Sequence, residues 1–130
     1  MGKKEDGFTL VELIAASTIM GLMVIGIVNL YIAIETAQRK SYHIEMASRA
    51  GEKQIESMRN VQYSSLEPDT ELDFTDELPD DLPEPRSGTV DISEPVDGLR
   101  RVDVTITYKD GAGSKTIKQS SLIGQIGIAQ

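Results

Sequence analysis

The chain has 130 residues, a net charge of −8, no cysteine and one histidine, His43. The acidic balance argues against a nucleic-acid surface, which would need clustered Lys and Arg, so no nucleic-acid partner is expected. The lack of cysteine excludes disulfides, thiolate metal sites and cysteine nucleophiles together.

The first element joins a basic start, Lys3-Lys4, to the hexamer Gly7-Phe8-Thr9-Leu10-Val11-Glu12. An uncharged apolar run from Leu13 to Ile34 follows directly. About 20 apolar residues span a bilayer as a helix, so this run is long enough. A secretory signal has a core of only about 7–15 apolar residues and a small-x-small cleavage site. The unusual part is Glu12. A carboxylate inside a membrane helix costs roughly 2.5–3.5 kcal/mol on insertion scales, so it is usually kept for a reason. Lys3 and Lys4 before the run are matched by Arg39 and Lys40 after it, so charge alone leaves the orientation nearly balanced.

The order basic leader, Gly7, Phe8, Glu12, apolar run resembles the class III signal of type IV pilins and type II secretion pseudopilins. The resemblance implies a leader at residues 1–7, cleavage by prepilin peptidase between Gly7 and Phe8, and N-methylation of Phe8. It implies that Glu12, fifth in the mature chain, pairs with the α-amine of Phe8 or of a neighbouring subunit during assembly. An opposite charge offsets the cost of a carboxylate in an apolar setting, so that role is physically sensible. The plainer alternative places Glu12 at the lipid headgroups, solvated. Gly7 suits a peptidase site because it has no side chain to restrict the backbone. The resemblance also places the chain in the cytoplasmic (inner) membrane, single-pass with its N-terminus inside, in contact with membrane lipid.

After the membrane half of the helix, residues 8–34, no proline interrupts the chain until Pro68. Residues 35–63 read as an amphipathic continuation. Ala37, Ile44, Ala47, Gly51, Ile55 and Met58 fall on one stripe, and charges fill the other faces. One helix from about Thr9 to about Val61 is predicted, roughly 80 Å long at 1.5 Å per residue. Gly21 and Gly26 weaken its membrane half, each by about 0.8–1 kcal/mol relative to alanine. Close helix packing or tolerance in lipid explains them; a segment that unwinds on assembly is the sharper reading.

Residues 64–87 carry Pro68, Pro79, Pro83 and Pro85 among nine carboxylates from Glu67 to Glu84. Missing backbone donors and like-charge repulsion predict a solvated loop or extended segment. A calcium site is the lesser alternative here, since hard cations take carboxylate oxygens, but no EF-hand spacing is present, and neither a metal site nor a cofactor is expected.

Residues 88–130 switch to a period of two. Val90 and Ile92 form one run, Val102, Val104, Ile106 and Tyr108 a second, and Lys115 to Leu122 a third. Asp97-Gly98 and Asp110-Gly111 mark the turns. Three antiparallel strands need a cover for their apolar face, and the helix stripe supplies one. The predicted fold is α+β: a long N-terminal helix packed on a small three-stranded antiparallel sheet. From Gln54 onward, Ile55-Glu56-Ser57-Met58-Arg59 and the strand pair Gly98 to Tyr108 resemble minor pilins and minor pseudopilins.

His43 reads as a surface residue of the helix, and no nucleophile signature accompanies it, so no catalytic residue is expected. The expected function is structural: a pilin-like, minor subunit of a type IV pilus or type II secretion pseudopilus, not an enzyme. Expected partners are prepilin peptidase, other pilin or pseudopilin subunits and an inner-membrane assembly platform. The alternative is a membrane-tethered extracytoplasmic binding module that never polymerises.

Overall fold

A computed structural model describes residues 7–125. Its elements in chain order are helix α1 (Leu10–Asn60), a 3₁₀ turn (Tyr63–Ser65), β1 (Thr70–Asp73), a second 3₁₀ turn (Thr75–Glu77), β2 (Ser87–Val96), β3 (Leu99–Asp110) and β4 (Gly113–Gly124). The chain divides into two compact units after Arg39.

In the first unit the helix is exposed on every side. Leu13, Met20, Ile25 and Leu30 are each about 60–70 % exposed. A soluble chain rarely leaves so large an apolar surface open, and lipid or partner helices are its usual cover. Its hydroxyls are satisfied internally: Ser17 Oγ donates to the Leu13 carbonyl at 2.8 Å and Thr18 Oγ1 to the Ile14 carbonyl at 2.9 Å. That is how a helix carries Ser and Thr in an apolar medium. A Cβ added at Gly21 or Gly26 would meet nothing within 4 Å.

In the second unit a sheet of order β1-β2-β3-β4, antiparallel throughout, packs one face on the helix. Alternation decides that face. Val90 and Ile92 on β2 and Val102, Val104, Ile106 and Tyr108 on β3 are buried, while Asp91 between the first pair is exposed and Asp103, Thr105 and Thr107 between the others are half-buried. From the helix come buried Ala47, Gly51 and Gln54, with Met46, Ala50, Ile55 and Met58 packed against the core. The stripe was therefore partly misplaced. Ile44 is 41 % exposed, and Gln54, a polar residue, is buried instead.

Both turns follow their glycines. Gly98 closes the β2–β3 hairpin at φ 80° and Gly111 opens the β3–β4 loop at φ 63°. Gly111 is the first of the two residues between Asp110 and Gly113, the arrangement of a type II′ hairpin, whereas Gly98 is the second of the pair Asp97-Gly98.

The sheet has four strands where three were expected, and the extra strand lies inside the acidic segment. β1 pairs Thr70 with Ile92 and Leu72 with Val90. Asp69 enters it in the left-handed region at φ 58°, donating its N–H to the Ile92 carbonyl at 2.8 Å. Phe74, Leu78 and Leu82 from the same segment are core residues. Each such side chain contributes about 1.5–3 kcal/mol on burial, enough to outweigh repulsion between solvated carboxylates. Arg86 also ties the segment together. It donates to the carbonyls of Asp80 and Leu82 at 3.1 and 3.0 Å and pairs with the Asp80 carboxylate at 2.8 Å.

Candidate functional site

The N-terminal site is built around the start of α1. Gly7, Phe8 and Thr9 precede the helix without regular structure, and Phe8 is 84 % exposed. Both residues flanking the expected cut, Gly7 and Phe8, are exposed. Residues 1–6, most of the expected leader, lie outside the described residues.

Thr9 is the helix cap. Its Oγ1 accepts the Glu12 N–H at 3.3 Å and its carbonyl accepts the Leu13 N–H at 3.1 Å. Glu12 stands in the first turn, where the unpaired N–H groups favour negative charge. Thr-x-x-Glu is the spacing of a capping box. Glu12 therefore sits where a carboxylate favours the start of a helix, a local setting separate from any part in assembly. The signal was present in Thr9-Leu10-Val11-Glu12, masked by the more unusual position of the carboxylate beside an apolar run.

A family model described as the prokaryotic N-terminal methylation motif matches residues 2–28. The chain carries a prokaryotic N-terminal methylation motif of the type IV pilin kind. The match takes in Gly7, Phe8 and Glu12 and the apolar run as far as Val28. The long exposed helix behind the motif fits a membrane-anchored pilin. No curated protein and no solved structure matches the chain.

Other polar groups in the second unit have structural tasks. Arg100 pairs with Glu94, donates Nε to the Leu66 carbonyl at 3.0 Å, and lies 4.9 Å above the Tyr63 ring. This clasp ties the β2–β3 hairpin to the segment after the helix. Hydrogen bonding to Arg100 holds the Glu94 carboxyl below its usual range, and burial pushes the Tyr63 phenol up. His43 is half-buried rather than a surface residue: its ring meets Tyr108 edge-on at 6.2 Å. Tyr42 donates to Asp81 at 3.3 Å, whose negative charge raises the Tyr42 phenol. Among the described residues, no three His, Cys, Asp or Glu side chains group closely enough to hold a metal ion. An apolar groove of about 280 Å³ is floored by Met46, Ala50, Phe74 and Pro79.

Proposed function

We propose that this chain is a minor pilin-like subunit of a type IV pilus or type II secretion pseudopilus. Residues 1–7 are the leader, prepilin peptidase cuts between Gly7 and Phe8, and Phe8 is then methylated. Residues 8–34 hold the chain in the inner membrane with its N-terminus inside. Residues 35–63 continue the helix, and residues 64–87 and 88–130 together make the extracytoplasmic head. An assembly platform draws the subunit into the filament, where Glu12 meets a cationic α-amine. The observation that carries this reading is the methylation motif at residues 2–28 running into an exposed apolar helix. The small, cysteine-free head supports minor status.

The test is the intact mass and N-terminal sequence of the chain from native membranes, with and without prepilin peptidase. A chain beginning at methylated Phe8, lost without the peptidase, is the expected result. A chain still beginning at Met1, or cut after the apolar run, would overturn the proposal and favour the tethered binding module.

A further inference from the structure

The solvent face of the sheet is electrically polarised. Its β1–β2 half carries Glu71, Asp73 and Asp91, and no cation of β1 or β2 lies between them. Glu71 stands directly opposite Asp91, and Asp91 directly opposite Asp103. Like charges facing each other across strands destabilise a sheet. Asp103 has local relief, since Ser120 donates to it. Glu71 and Asp91 have no cation within 4.0 Å among the described residues. The β3–β4 half is the opposite. Arg101, Lys109 and Lys118 are exposed there, with Lys109 opposite Ser114 and Lys118 opposite Thr105. Arg101, Lys109 and Lys118 have no described carboxylate within 4.0 Å.

Among the described residues the two halves end in open edges: β4 is a 12-residue terminal strand without proline, bonded on one side only, and β1 is the terminal strand on the other side. In a four-stranded antiparallel meander the first and last strands run in opposite directions. A copy displaced sideways therefore brings its β1 beside β4 in the antiparallel sense that the rest of the sheet uses.

We propose that the β4 flank (Arg101, Lys109, Lys118) docks on the β1 flank (Glu71, Asp73, Asp91) of a second copy of this chain. Charge complementarity selects that occupant, since each flank supplies what the other lacks. The contact is heterologous, so it propagates along an open array and does not stop at a closed dimer. It rests on the subunit reading and deepens it: the head carries its own rule for which side meets which, in short runs of this subunit.

Cysteine placement tests this cleanly because the chain has none of its own. Leu72→Cys on β1 and Leu122→Cys on β4 are introduced together in the full-length chain in membranes and treated with a short bis-maleimide. The double variant is expected to give a ladder of trimers and longer products. Mixed single variants should stop at dimers. Adding Arg101→Glu and Lys118→Glu should cut the ladder about tenfold, and further adding Glu71→Lys and Asp91→Lys should restore it. No ladder, equal dimer yield from Leu122→Cys alone, or no restoration would overturn the inference. The N-terminus in the same sample reads the subunit assignment separately. Chains that begin at Phe8 but give no ladder overturn the docking alone, and chains that begin at Met1 overturn the assignment whatever the ladder shows.

Discussion

Gln119 on β4 lies directly against Gly51 of α1. A Cβ built at residue 51 would come within 3.0 Å of Gln119 Cδ and closer still to Oε1. The amide is held there by Nε2, which donates to the Ser48 carbonyl at 3.3 Å. A glycine in mid-helix costs about 1 kcal/mol relative to alanine, so this approach between helix and strand is made at a local cost.

The pair can be separated by a double-mutant cycle. Gly51→Ala regains about 1 kcal/mol of helix propensity but displaces the amide and loses a hydrogen bond of about 1 kcal/mol. It should therefore be nearly neutral in urea unfolding of the chain in detergent. In a Gln119→Ala background the same change should stabilise by about 1 kcal/mol. Equal effects in the two backgrounds would show that the residues are uncoupled.

Phe74 closes over Gly88 in the same manner but with less freedom. A Cβ at residue 88 would lie 2.8–3.1 Å from the ring, and two hydrogen bonds lock the neighbourhood: Phe74 N–H to the Gly88 carbonyl at 2.9 Å, and Gly88 N–H to Thr75 Oγ1 at 3.0 Å. A buried ring cannot swing aside as an amide end can. Gly88→Ala should cost about 1–3 kcal/mol and Phe74→Ala about 3–5 kcal/mol. Denaturant midpoints of the two variants give the comparison, and a neutral Gly88→Ala would mean that the ring does not pack there.

Glu12 has two candidate tasks, and substitutions distinguish them. Glu12→Gln keeps the Thr-x-x-Gln pattern of a capping box but removes the charge. Thr9→Ala removes the cap, at about 0.5–2 kcal/mol, but keeps the charge. If charge serves assembly, Glu12→Gln and Glu12→Leu insert in the membrane yet disappear from sheared filaments, while Thr9→Ala remains. Loss of Thr9→Ala with retention of Glu12→Gln would assign the residue to helix initiation alone.

The Arg100 clasp makes an acid-side prediction. Glu94 is held below its usual range chiefly by hydrogen bonding to Arg100. A carboxylate with a depressed folded pKa contributes stability above its unfolded pKa, near 4.3, and loses it as the pH falls through the lower folded value. Stability of the wild type should therefore fall more steeply on acidification below about pH 4.5 than that of Glu94→Gln. Melting temperatures from pH 7 to pH 3 in both proteins check this; parallel curves would remove Glu94 from the acid response.

Much of this molecule was legible in the chain. An uninterrupted run without proline gives one helix, strict alternation gives β2 and β3, and two Asp-Gly pairs mark the turns. The acidic segment was not legible because composition and placement disagree there. Nine carboxylates and four prolines read as solvent-facing, yet Phe74, Leu78 and Leu82 recur between them every four residues and reach the core. Prolines forbid the helix that such spacing normally signals, so the anchors lacked an element to belong to. The N-terminal site was legible as a motif, while its capping geometry was hidden by the more unusual feature at the same residue.

Arg86 gives this acidic excursion its order. Its side chain is 16 % exposed and reaches two carbonyls and the Asp80 carboxylate, with Glu84 at 4.0 Å. A lysine carries the same charge but not the planar fork of donors that this geometry uses. One guanidinium thus joins three buried anchors in making a firm anionic surface out of a composition that would otherwise give a polyanionic tether swelling at low salt.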